Sequence, residues 1–177
     1  MSFSIDLTIR RPTDVVFAFL ADGRNTPRWY QAVREAELVT PGPVAIGTRY
    51  RFVRDLPGGR ADNLVEVAEL EPNAVVTLAS VDGPTPFRYR YTLSPTSGGT
   101  HLRLEGDITG EGLGGPAALV APFASRLFAR GMRSNLAELA RLLEADAGRV
   151  RAEGRVVVDG FAADLSVDAH GLVADYP

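Results

Sequence analysis

The residues with most to say about chemistry in this chain are aromatic. Tyr50 and Phe52 stand two positions apart, and so do Phe87, Tyr89 and Tyr91. In an extended strand that spacing puts each set on one face. Two strands would then offer a shared surface of rings, some carrying hydroxyls. An ordinary sheet core favours Val, Ile and Leu, because every buried hydroxyl needs a hydrogen bond. A ligand pocket instead combines apolar walls with a few placed polar groups. Trp29, the single tryptophan, and Tyr30 lie together in a short connector after the turn signal Asn25-Thr26-Pro27. Such a pair supplies apolar area and hydrogen-bonding tips, so it reads either as a core plug or as a cavity wall. Asn63 is expected to face inward as a hydrogen-bonding group. Glu35 and Glu37 are in phase with Val33 and Val39, so one of them is expected at the cavity mouth.

Other chemistries find little support. The chain has no cysteine, which removes disulfides, thiolate nucleophiles and Cys-ligated metals. His101 alternates with Leu102 and Leu104 and is expected in solvent, and His170 falls in a turn. Histidines so placed build neither a Ser-His-Asp set nor a metal site, so neither a metal nor a cofactor is expected. Arg49, Arg51, Arg88, Arg90 and Arg103 alternate with the apolar set and are expected on the outer face. No inward-facing Arg, His, Asp or Glu is singled out, so the catalytic residues stay unassigned. Gly110 to Gly115, GEGLGG, matches Gly-x-Gly-x-x-Gly, but it follows a hairpin series and not a βαβ unit, so it reads as a loop.

The elements that must position the aromatic set follow from periodicity. Residues 2–10 alternate as a half-buried strand. Pro12-Thr13-Asp14 opens a helix, with Thr13 as expected cap and Gly23 as expected end. A second short helix is expected to carry Arg28-Trp29-Tyr30. Strands are expected at 33–40, 48–54, 61–70, 74–82, 86–94 and 99–108, separated by Pro- and Gly-rich turns. Short turns between such strands favour an antiparallel meander. A long helix is expected over 117–146, its apolar stripe running through Phe123, Leu127, Leu136, Leu139 and Leu143, with a start or kink at Pro122. The last residues carry an Asp159-Gly160 hairpin signal and read as a three-stranded meander.

Composition sets bounds on all of this. A chain of 177 residues is one domain, or one with an appendage. The 45% apolar share is enough for a core. A net charge of −3 gives no electrostatic footprint for nucleic acid. The opening residues lack a signal-peptide layout, and no stretch is long enough to span a bilayer, so a cytoplasmic, soluble protein without membrane insertion is expected.

The segments PTDVVFAFLADGRNTPRWYQAV, GPVAIGTRYRFV and PFRYRYTLSPTSGGTHLRLEGDI, followed by the long helix, resemble the START-like superfamily, also called SRPBCC, helix-grip or Bet v 1-like. Within it the likeness is to bacterial polyketide cyclase/dehydrase-type proteins, over residues 2–146. The resemblance implies an α+β helix-grip domain over 1–148. Its curved antiparallel sheet, of about seven strands, would be covered by the long C-terminal helix beside two short helices. Residues 149–177 are expected to form a C-terminal β extension that packs on the body or joins a partner in a homodimer. Within it, LSVDAHGLVADYP resembles a terminal strand pair of a bacterial glycolipid-binding family. The superfamily resemblance also implies a hydrophobic, aromatic or polyketide-like small molecule held between sheet and helix, bordered by Trp29, Tyr30, Tyr50, Phe52, Asn63, Phe87, Tyr89, Tyr91, Phe123 and Leu127. A polyketide cyclase or dehydratase on the same fold is the alternative, and a dimerising structural protein with a filled core is a third. Catalysis would need an ionisable group shifted by burial inside the cavity, whereas binding would not.

Overall fold

In the computed structural model the described residues are 2–56, 59–108 and 121–153, with side chains described for all of these except Leu56, 121–127 and 146–153. Strand β1 spans Ser2–Ile9 and buries Ile5 and Ile9, as its alternation requires. Helix α1, Thr13–Ala21, buries Val16, Leu20 and Ala21. Its cap position is taken by Pro12, which has no hydrogen-bonding side chain. Thr13 is the first helical residue, and its hydroxyl meets that of Thr100 at 3.2 Å. The helix also ends before Gly23, because Asp22 turns extended and its carboxylate accepts the Arg24 backbone N–H at 3.0 Å. That contact caps a short 3-10 helix, Gly23–Arg28. Trp29 and Tyr30 therefore follow the second helix and are not carried within it.

Strands β2 (Val33–Leu38), β3 (Arg49–Leu56), β4 (Gly59–Glu71), β5 (Val75–Asp82), β6 (Phe87–Thr96) and β7 (Gly99–Ile108) complete one sheet. Its order is β1-β7-β6-β5-β4-β3-β2, every neighbouring pair antiparallel. Register shifts at Val33/Glu35 in β2, and at Leu64/Val65 and Val67/Glu69 between β4 and β5, add local twist and help the sheet to curl. Helix α2, Ala121–Glu153, carries Met132, Leu136, Leu139 and Leu143 at helical spacing, all buried against the inner face. It begins one residue before Pro122, and a proline in the first turn costs no hydrogen bond. The helix is tied to both ends of β1. Phe128 packs on Phe3 with ring centroids 5.3 Å apart, and Glu144 accepts from the Arg10 backbone N–H at 2.9 Å and from its guanidinium at 2.8 Å.

The result is the expected α+β helix-grip architecture. Helix α2 runs to Glu153, past residue 149 where the C-terminal β extension is expected to begin; residues 154–177, with their expected hairpins, and the GEGLGG loop lie outside the described residues. The outer face of the sheet is a lattice of ion pairs that includes Arg49–Glu66, Arg51–Glu37 and Arg60–Glu35. Glu35 and Glu37 thus stand on the outside and not at a cavity mouth. The register shift after Val33 puts Ala36 and Leu38, not the glutamates, against the core. Among the described residues no helix is long and apolar enough to cross a membrane.

Candidate functional site

The inner face brings most of the aromatic set into one ladder. Phe87 stacks on Tyr89 with centroids 4.6 Å apart, Tyr89 meets Tyr30 at 6.3 Å, Tyr30 stacks on Trp29 at 5.7 Å, and Trp29 meets Tyr91 edge-on at 6.4 Å. Strand β6 sets three of these rings by strict alternation. The backbone N–H groups of Trp29 and Tyr30 both bond the Thr26 carbonyl, which folds the connector over the sheet. On α2, Asn135 accepts the Gln31 N–H at 3.3 Å and fastens the same connector to the helix.

Tyr50 and Phe52 lie apart from this ladder, 6.2 Å from each other on β3. The Tyr50 ring lies flat on Gly23, where any Cβ would come within 2.8 Å of it. Burial raises the Tyr50 phenol, and a hydrogen bond from the Gly23 backbone pulls it partly back. The side chains of Phe123 and Leu127 fall outside the described residues, so the structure places neither.

One functional group escapes the sequence reading. Arg54 is 4% exposed, the single charged side chain among the buried described residues. It follows Tyr50 and Phe52 in phase on β3 and therefore points inward. Its Nη1 donates to Asn63 Oδ1 at 3.1 Å, and its guanidinium carbon lies 5.1 Å from the centre of the Phe87 ring. Its Nε is buried without a partner, and no carboxylate forms an ion pair with it among the described residues. Asn63 is 1% exposed and faces inward as expected. Its amide donates to the carbonyls of Asp82 at 3.3 Å and Pro84 at 2.9 Å. Those bonds need the β5–β6 turn to press on β4. Gly83, at φ +104°, allows it, since a Cβ there would strike the Asp62 carbonyl and Asn63. The turn fixes Asn63, and Asn63 fixes Arg54.

The electrostatics are one-sided. Burial pushes the Tyr89 phenol well above its ordinary value, Tyr30 raises it further, and Arg54 pulls it partly back. Burial pushes Tyr91 up as well, with a smaller push from Tyr30. Both phenols stay protonated, and the Tyr30 and Tyr89 oxygens approach to 3.4 Å, where either hydroxyl can donate. The described inner face thus presents a fixed cation, neutral hydroxyls and rings. It lies at the end of the sheet where β7 leads on to residue 109, because Phe87 pairs with Ile108. Two open depressions lie elsewhere. One of about 400 Å³ is bordered on the outer face by Glu35, Arg51 and Arg60, and one of about 460 Å³ by Arg10, Pro12 and Pro95. Neither touches the ladder. Among the described residues no acidic or histidine cluster could hold a metal.

Known proteins place this arrangement in a family. The aromatase/cyclase Zhui from Streptomyces sp. R1128 superposes with a TM-score of 0.69 at 18% identity, over 88% of this chain and 99% of that one. TTHA0849 from Thermus thermophilus gives 0.67 at 19% identity, over 82% and 99%. A START superfamily protein from Mycobacterium smegmatis gives 0.67 at 13% identity, over 81% and 97%. At such identities the likeness establishes the fold. No curated protein matches by sequence. Residues 1–144 match the family described as polyketide cyclase / dehydrase and lipid transport. That match covers most of the chain, and with the START-like sheet and its covering helix it shows that this protein belongs to the polyketide cyclase / dehydrase and lipid transport family.

Proposed function

We propose that this protein binds a hydrophobic, aromatic small molecule on the inner face of the sheet, beneath α2. The family supports a hydrophobic ligand-binding or cyclase role, and the aromatic ladder favours binding. From Phe87 to Tyr91 it offers ring faces and edges, with phenols held neutral by burial. A core built only for stability would not bury the Arg54 Nε without a partner. Such a group suits a guest that carries polar atoms of its own.

A cyclase or dehydratase is favoured by one observation, the inward Arg54. A buried guanidinium could hold a carbonyl oxygen as charge develops on it. The described inner face has no carboxylate or imidazole to take the proton such a reaction releases, so binding stands first.

Trp29 is the only tryptophan and lies within the ladder, so its fluorescence reports occupancy directly. Titration with two- to four-ring aromatics is expected to quench or shift its emission. Native mass spectrometry of freshly purified protein is expected to show a co-purified apolar molecule. No bound species, together with no Trp29 response to any of the aromatics, would reject the reading.

A further inference from the structure

We propose that the guest is an aromatic carboxylic acid, and that Arg54 takes its carboxylate through the unused Nε–Nη2 edge of the guanidinium. This rests on the ligand-binding reading above and adds the chemistry of the guest's polar end.

The argument starts from what Arg54 has and lacks. Nη1 is committed to Asn63. Nε is buried with no partner, and Nη2 makes no hydrogen bond among the described residues. Those adjacent N–H groups form a planar fork whose spacing matches the two oxygens of one carboxylate. The charge is uncompensated too. Every arginine on the outer face of β3 has an acidic partner, whereas Arg54 has an amide and a ring. A buried cation without a counter-charge is costly to keep, and an anionic guest would supply the missing charge and hydrogen bonds together. The fork is also held in place. Asn63 is anchored by the Asp82 and Pro84 carbonyls, so Arg54 is aimed before any guest arrives. The Phe87 ring lies under the guanidinium and stacks on Tyr89. A carboxylate on the fork therefore leaves an aryl body to lie along the ladder, with the Tyr30 and Tyr89 hydroxyls next to it.

The test uses the full-length chain and two probes of equal size: 2-naphthoic acid, ionised at neutral pH, and the neutral 2-naphthamide. Each is titrated by calorimetry and followed through Trp29 emission. The acid is expected to bind about ten-fold more tightly than the amide, or better, as a charge-assisted pair predicts. The preference is expected to survive about 1 M salt, which screens surface arginines to within a few Å. Arg54→Met is expected to abolish the preference, while its ligand-free melting stays within a few degrees of the wild type because the orphaned Asn63 Oδ1 offsets the removed charge. The wild-type ratio and its salt dependence need no variant, so they decide the matter even if Arg54→Met fails to fold. Equal wild-type affinities for acid and amide would overturn the carboxylate assignment and leave the ligand-binding reading intact, with a buried water as the partner of Nε. A preference that disappears at high salt, or persists in Arg54→Met, would overturn it by moving charge recognition to an outer arginine. Binding of neither probe would overturn the ligand-binding reading for aromatic guests, and this inference with it.

Discussion

Strand β3 carries arginines on both faces of the sheet, and the two faces treat them differently. Outside, Arg49 reaches Glu66 at 2.8 Å and Arg51 reaches Glu37 at 3.0 Å, each arginine side chain 48% exposed. Inside, three residues beyond Arg51, Arg54 is 4% exposed and meets an amide and a ring. The outer pairs are solvated, so each contributes little to stability. They keep the outer face soluble and disfavour slipped registers. The inner cation works against stability until something neutralises it. The outer face is a paired, solvated lattice, and the inner face holds a buried charge whose partners are an amide and a ring.

The contrast can be broken first at its aromatic side. Tyr91→Ala on the inner face is expected to lose about 3–5 kcal/mol in chemical denaturation, against no resolvable loss for Arg51→Ala outside. Similar losses at both positions would erase the distinction between the faces.

Alkaline titration sharpens it. Tyr89 and Tyr91 have folded pKa values above their unfolded ones. Their contribution to stability is therefore full below about pH 10 and falls as pH rises beyond it, by roughly 1.4 kcal/mol per tyrosine per pH unit. Tyrosinate absorbance is expected to show these two ionising only as the fold is lost. Smooth ionisation in the native state would place them in water.

Gly23→Ala probes the far end of the inner face, where Tyr50 seals against the connector. A loss of about 1–3 kcal/mol is expected from overpacking, and a tolerated alanine would show Tyr50 to be loosely held. Smaller still, Arg54→Met is expected to shift the Tm of the ligand-free protein by no more than about 2–4 °C, since removing the buried charge is offset by leaving Asn63 Oδ1 unpaired. Arg51→Met is expected to change it least, with the difference shrinking in high salt.

Much of this was legible in the residues. The alternation Phe87, Tyr89, Tyr91, Leu93 against Arg88, Arg90, Thr92 assigns both faces of β6 from period two alone, and the structure agrees. The Leu136, Leu139, Leu143 stripe likewise marks the buried side of α2. Arg54 was legible in principle, because it continues the phase of Tyr50 and Phe52. It sits where the expected strand ends, and at a strand end an arginine is usually solvated, so period alone does not mark it as buried. Glu35 and Glu37 misled for the opposite reason. Their parity with Val33 is genuine in the sequence, but one extra residue in β2 reverses it.

Local order is what the chain by itself determined. Strand faces, the helix stripe and the turns follow from side-chain period and backbone preference, which neighbours in sequence suffice to set. The likeness of its segments to a known fold supplied the order of the layers. Tertiary structure alone decided that Arg54 lacks a counter-ion, that Asn63 and the Gly83 turn aim it, and that Trp29 and Tyr30 join rings from β6. Those facts depend on which distant groups meet in a low-dielectric interior. A charge's environment there is set by residues far away in sequence, so no local pattern could carry it.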